Sequence, residues 1–270
     1  MTITSFHQAA QLVEETLTTE EAAGPAHGLA DLALHRTRRA SIEHALEALE
    51  ASVARLRTRS HKLSPLPPEE GIRWAQAVRQ LPNLAFLELD TDGLSSDADI
   101  IRVVLLDRGG TPLYEEFIHP RRPLSQQIMA LTAVRPEEVQ HAPTFAEAWP
   151  SLSAALQGRY ILSFNLSFDL DKLRENAERA RVEPVTVIGE CLMRKAQQYV
   201  RQQSYPKLAD LCRRIGSPLP DHPVQDAWDR ARGQRQLLEA MSQGITFVQE
   251  PPASQADLSE SNEDGDEPPF

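Results

Sequence analysis

A mixed α/β sheet of five strands flanked by helices, preceded by a helical extension, is the architecture this sequence predicts. Three observations carry it. Three apolar, strand-like segments follow one another between residues 84 and 119, separated by Gly93 and by Gly109-Gly110, which is the signature of a meander. Two further short apolar runs then alternate with segments of helical period, which adds parallel strands on the meander's edge. Apolar residues at helical spacing from Leu29 to Leu56 lie ahead of all of this.

Residues 1 to about 24 are polar and weakly helical. Leu29, Leu32, Leu34, Ile42, Ala45, Leu46, Leu49, Val53 and Leu56 mark one long amphipathic helix, rich in arginine on its other face. Ser64-Pro-Leu-Pro-Pro68 is a stiff linker. A short helix over 69–80 leads into a strand at 84–90. Strands follow at 100–106 and 112–119, the last ended by Pro120. Helices are expected at 125–131 and 145–156, a buried strand at 160–164, a helix at 169–180 and a last strand at 185–188. Helices at 192–200, 207–215 and 224–241 complete the domain, with Pro223 suited to the first helical position of the last one. This divides the chain into a helical extension and linker (1–68), an α/β domain (69–243) and a tail (244–270).

Composition narrows the class. The chain has 270 residues, 41% hydrophobic and 25% charged, enough for one ordinary core with appendages. No apolar run approaches the length of a membrane span, and the N-terminus lacks the pattern of a secretory signal. The two cysteines, Cys191 and Cys212, fit neither a disulfide framework nor a zinc site, so a reducing cytoplasm is the expected setting. Net charge is −11, but Gln249–Phe270 holds seven acids and no Lys or Arg, so the remainder carries only −4. That tail, with four prolines and no hydrophobic period, reads as disordered. A mildly acidic domain can still act on nucleic acid where local potential is positive.

The chemistry is concentrated in Phe86-Leu87-Glu88-Leu89-Asp90. Alternate residues of a strand share a face, so Glu88 and Asp90 point the same way inside an apolar segment. Two buried like charges are costly unless something positive lies between them, and a divalent metal is the simplest answer. Asp169 stands near a helix start, where the backbone favours an anion, and Asp226 in the first turn of the last helix. Each alone is as well explained by helix capping. Together the four could converge at one end of the sheet. Hard oxygen ligands suit Mg²⁺ or Mn²⁺, and two such ions can activate water and stabilise the leaving oxygen of a phosphodiester. His222, four residues before Asp226, could take the water's proton.

The motifs, taken in order, resemble a known family. Glu88-x-Asp90-x-x-Gly93-Leu94, then Leu131-Thr-Ala-Val134 and Ala142-Pro-Thr-Phe145, then Asn165-x-x-Phe168-Asp169, then His222 and Asp226-Ala227 look like the DnaQ-like 3′–5′ exonucleases of the DEDD superfamily. That group includes the proofreading subunit of bacterial DNA polymerase, RNase T and oligoribonuclease. The resemblance covers about residues 84–241. It implies a ribonuclease-H-like fold, two bound Mg²⁺ or Mn²⁺ ions, and removal of nucleotides from single-stranded DNA or RNA 3′ ends. It implies Glu88, Asp90, Asp169 and Asp226 as ligands, His222 as the base, and Leu94, Thr132, Asn165 and Phe168 as substrate contacts. A DNA polymerase is a partner of the kind the family suggests, and the 29–56 helix offers self-association.

Four features depart from the family pattern. The first motif is usually Asp-x-Glu, and here the two lengths are exchanged. One methylene moves an oxygen by about 1.5 Å, against a metal-ligand tolerance of roughly 0.2 Å. Phe164 stands where His usually precedes Asn, and Ala133 where Gly is usual. The His branch places its base five residues before the final Asp, which here is Asp221; His222 has the spacing of the sister branch, which uses Tyr. Three readings follow: an active 3′–5′ exonuclease, an exonuclease-fold nucleic-acid-binding module with weakened catalysis, and an assembly subunit working through the 29–56 helix. Arg194, Lys195 and Arg201 are candidate phosphate contacts, and Tyr199 and Tyr205 the available aromatic platforms.

Overall fold

The computed structural model describes residues 6–60, 63, 66–220 and 226–247. His222, its neighbour Asp221, Pro223, Ser64 and Pro65 of the proline-rich linker, and the acidic tail from residue 248 onward lie outside the described residues. The chain divides into two compact units, Met1–Leu63 and Ser64–Phe270.

The first unit is a pair of packed helices, α1 (Phe6–Ala23) and α2 (Leu29–Ser60). The first is a full helix where the sequence suggested weak helicity. Ala9, Val13 and Ala45 are buried, and Glu20 draws His35, Arg38 and Arg39 towards itself. Leu29, Leu34, Leu46 and Leu56 stay exposed.

In the second unit, α3 (Glu69–Arg79) leads into β1 (Leu84–Thr91), which enters a five-stranded sheet of order β3-β2-β1-β4-β5. The meander partners β2 (Ile100–Asp107) and β3 (Pro112–Phe117) run antiparallel, as the Gly109-Gly110 turn requires. On the other side β4 (Tyr160–Ser163) and β5 (Ile188–Cys191) run parallel to β1. The intervening helices are α4 (Gln126–Thr132), α5 (Pro136–Val139), α6 (Phe145–Leu156) and α7 (Leu166–Ala180). After β5 come α8 (Leu192–Val200), α9 (Leu208–Arg214) and α10 (Ala227–Ser242).

The pleat of β1 sorts its side chains between two cores. Ala85, Leu87 and Leu89 face α6 and α7, packing with Trp149, Leu152 and Leu173. Leu84 and Phe86 face the opposite way, into a core with Met193, Leu211 and Leu238 from α8, α9 and α10. Glu88 and Asp90 continue that second face by the period of 2, and so point towards α10.

Three boundaries differ from the sequence reading for local reasons. The last strand is Ile188–Cys191 rather than 185–188, because register with Tyr160–Ser163 decides the pairing. The helix expected from 169 starts at Leu166, which leaves Asp169 inside its first turn. The last helix starts at Ala227, not 224, with Asp226 as its N-cap. Ala133 ends α4 in the left-handed region at φ 58°, a conformation that favours glycine.

Gly189 pairs with Ile161 across the β4–β5 ladder, where any Cβ would meet the Ile161 carbonyl. Gly189→Ala therefore forces the edge strand off the sheet. The expected loss is about 2 kcal/mol or more in urea unfolding, against roughly 0.5 kcal/mol or less for a change at an exposed position such as Ser151→Ala.

Candidate active site

Two of the sequence-predicted acids lie on β1 and a third on the first turn of α7. Asp90 and Asp169 are almost fully buried, and Glu88 nearly so. Asp169 takes a hydrogen bond from the Ser163 hydroxyl at the end of β4, so the β1–β4 pairing brings it to the first-motif pair. Burial, then the nearby Glu88 charge, pushes the Asp169 carboxyl well above the ordinary carboxylate range. Burial likewise raises Glu88 and Asp90, against the downward pull of an adjacent guanidinium.

That guanidinium belongs to Arg230 of α10. Its Nε donates to Glu88 Oε1 at 2.5 Å, and its Nη2 donates to Asp90 Oδ1. Burial alone would lower the Arg230 pKa, but Asp90 and Glu88 carry it above its ordinary value. One turn further along α10, Gln234 donates from Nε2 to Glu88 Oε2 at 2.5 Å and to the Leu87 carbonyl at 3.1 Å. A second arginine, Arg102, stands opposite Asp90 in the β1–β2 register and stacks over Phe117 at 4.9 Å.

Asp226 sits at the rim. Its Oδ1 caps α10 by accepting from the Asp229 amide at 2.9 Å, and its Oδ2 faces Arg102 at 3.4 Å. Arg102 also pairs with Glu115 at 3.0 Å, and Glu115 accepts from Trp228 Nε1 at 2.5 Å. The capping alternative thus describes Asp226 well. The α10 side chains that hydrogen-bond the first-motif acids are Arg230 and Gln234, one and two helical turns later.

The expected substrate contacts fall into two groups. Leu94 is half-exposed on the β1–β2 loop, and Lys172 of α7 ties that loop down through the Leu94 and Ser95 carbonyls at 3.1 and 2.5 Å. The same ammonium lies 5.4 Å from the Phe168 ring centre, so Leu94 and Phe168 share one lip beside Asp169. Asn165 is the N-cap residue of α7, its Oδ1 accepting from Ser167. Thr132 is buried and used within its own helix end, donating to the Ile128 carbonyl and accepting from Val134 N.

Several side chains have other work. Phe164 fills the α10-side core. Lys195 is paired with Glu190 at 2.8 Å and lies over Trp74. Tyr199 is buried against Phe247, so it gives no stacking platform, whereas Tyr205 is exposed. Arg194 and Arg201 are exposed.

Sequence reasoning missed Arg230, Gln234, Arg102 and Lys172. A signal existed for the first two. Ala227, Ala231, Gln234, Leu238 and Met241 form the buried stripe of α10, and Arg230 lies within it at the same spacing.

A family-implied metal pair can be tested against these donors. Both Glu88 oxygens and one Asp90 oxygen are held by Arg230 and Gln234. Asp226 is committed to its helix end and Arg102. Among the described residues no three His, Cys, Asp or Glu side chains form a metal cage. This arrangement does not fit bound ions.

No family model matches the chain. In sequence it is 23% identical over 93 residues to an uncharacterised exonuclease of Escherichia phage 186, covering 34% of this chain and 48% of that protein. It is 23% identical over 134 residues to an RNA exonuclease 4 of Debaryomyces hansenii, covering 49% and 48%. A PolC-type DNA polymerase III of Caldanaerobacter subterraneus matches at 25% over 170 residues, 60% of this chain and 12% of the polymerase. The sheet order, the acids on β1 and α7, and these relatives agree.

The fold is the mixed five-stranded sheet flanked by helices that the sequence predicts, and the sequence relatives include exonucleases.

Among solved structures, the nuclease domain of 3′hExo, a DEDDh family member, bound to rAMP, aligns with a TM-score of 0.49 at 13% identity over 61% of this chain and 94% of that one. Exonuclease X in complex with 5′ overhanging duplex DNA aligns with a TM-score of 0.42 at 18% identity over 61% and 95%. The chain spans about half the length of the phage and yeast relatives and a small part of the polymerase. No described helix is long and apolar enough to cross a membrane.

The raised Asp169 carboxyl gives a pH-dependent expectation. A folded value above the unfolded one, about 3.9, means that its contribution is full below that value and is lost as pH rises through the raised value. Asp169→Asn, which keeps a partner for Ser163, raises the thermal unfolding midpoint at about pH 8, and the gain shrinks towards about pH 5. Calorimetry at the two pH values checks it; a uniform loss at both would contradict it.

Proposed function

We propose that this domain engages nucleic-acid 3′ ends as a 3′–5′ exonuclease-type module. The observation that carries the reading is the meeting of Glu88, Asp90 and Asp169 at one end of the sheet, beside the lip formed by Leu94 and Phe168. Exonuclease relatives in sequence support the same class. The half-exposed Leu94 and the Phe168 ring are suited to pack a terminal nucleoside, and base stacking of this kind is tolerant of sequence.

Hydrolysis of the terminal phosphodiester is the activity of that class, and divalent ions would supply water activation and leaving-group stabilisation there. Arg230 and Gln234 hold the Glu88 oxygens that such ions would need. The chain's own groups account for binding. Leu94 and Phe168 form the apolar lip, and exposed Arg194 and Arg201 are available to backbone phosphates. His222 and the Mg²⁺ or Mn²⁺ pair belong to the hydrolytic version of this proposal.

A specific observation favours a second reading, retention of the strand with weak or no cleavage. Arg230 bridges the first-motif pair with a permanent positive charge.

A 5′-labelled single strand incubated with the full chain in Mg²⁺ or Mn²⁺, beside Asp169→Asn, separates the two. Stepwise 3′ shortening that Asp169→Asn reduces by roughly 100-fold or more supports hydrolysis. Binding of 3′-hydroxyl strands by fluorescence anisotropy without shortening supports retention. Neither binding nor shortening would overturn the proposal.

A further inference from the structure

We infer that Arg230 takes the place of a divalent cation between Glu88 and Asp90, so that this pair is held together without metal. The inference rests on the same site as the proposed function, but it concerns what occupies that site, not what the site acts on.

The geometry is that of a bridge. Glu88 and Asp90 stand two residues apart on one face of β1, and the side edge of the guanidinium, Nε and Nη2, gives one hydrogen bond to each. A cation between two carboxylates would occupy this same place. Arg230 is held there by its helix: Asp226 caps α10 one turn before it, and Gln234 anchors the helix to the Leu87 carbonyl one turn after it. The three residues at spacing 4 form one stripe alongside β1. The guanidinium is nearly buried, at 12% side-chain exposure, so water does not screen the bridge.

The exchanged lengths of the two acids suit this partner. Glu88 is long enough to take Arg230 on one oxygen and Gln234 on the other. The shorter Asp90 meets the outer end of the fork, and its second oxygen is buried with no hydrogen-bond partner among the described residues. Arg102, across the ladder from Asp90, adds a second fixed positive charge to the same face. Arginine is permanently charged and planar, and it cannot dissociate as an ion does. A divalent cation entering this place would have to displace a covalently tethered competitor and strip Gln234 from Glu88.

The test needs no nucleic acid. The full chain, freed of metal with EDTA, is titrated with Mn²⁺ while free Mn²⁺ is followed by electron paramagnetic resonance. Its unfolding midpoint is measured in EDTA and in excess Mn²⁺. The wild type is expected to deplete no Mn²⁺ at the site and to unfold at the same midpoint in both. Arg230→Ala is expected to unfold earlier in EDTA and to recover in Mn²⁺, whereas Arg230→Lys keeps the charge and shows less of both effects. Tight Mn²⁺ binding by the wild type that Asp90→Asn abolishes would overturn the inference. So would a folded Arg230→Ala that Mn²⁺ does not stabilise. Should Arg230→Ala fail to fold, the wild-type and Asp90→Asn titrations decide alone. Absence of nuclease activity overturns only hydrolysis, and these ion titrations are independent of it.

Discussion

Three carboxylates buried at one end of a sheet dictate what else must be there. Glu88, Asp90 and Asp169 are all pushed towards their protonated forms by burial. Removing one member of a buried ion pair costs about 3–5 kcal/mol, because an uncompensated charge stays behind. The Arg230 bridge supplies the opposing charge from the chain itself. The position of α10 on β1 is coupled to that bridge, since the same helix stripe also delivers Gln234 to Glu88 and to the Leu87 carbonyl.

The rest of the α/β unit serves this arrangement from two sides. On the α10 face, Phe86 and Leu84 continue the line of Glu88 and Asp90 into an apolar core with Leu237, Leu238 and Met241. On the other side of the acids, α7 fastens the β1–β2 loop. Lys172 holds the Leu94 and Ser95 carbonyls, Asn176 bonds Ala98 and Ile100, and Arg179 takes the Ser96 and Ala98 carbonyls. The loop that carries Leu94 is thereby fixed to the helix that carries Asp169 and Phe168. The lip formed by Leu94 and Phe168 is thereby carried on regular elements.

The sheet was legible because its strands combine strong alternation with clear turns. Gly109-Gly110 and Pro120 bound the meander, and the Glu88-Leu89-Asp90 alternation marks a face that demands charge compensation. The identity of the compensating group was not legible in the same way. Asp226 attracts attention as an acid beside a histidine, yet acid type alone does not separate a ligand from an N-cap. Its actual bonds, to the Asp229 amide and Arg102, are those of a cap at the rim. Arg230 reads as an ordinary exposed helix residue until the helical period is laid against Ala227, Ala231, Gln234 and Leu238, which face inward. Tyr199 misled for a related reason: its ring lies on the buried side of α8 beside Phe247, and periodicity does not reveal which side of a short amphipathic helix a partner covers.

In this fold the first-motif acids are already bridged by a cation of the chain before any ion arrives. The account therefore stands on the position of one guanidinium. The most direct measurement is a crystal structure of the chain grown with Mn²⁺ and recorded at the manganese absorption edge. The account predicts the Arg230 guanidinium between Glu88 and Asp90 and no anomalous peak among Glu88, Asp90 and Asp169. An anomalous peak ligated by those carboxylates, with Arg230 turned away from them, would contradict it.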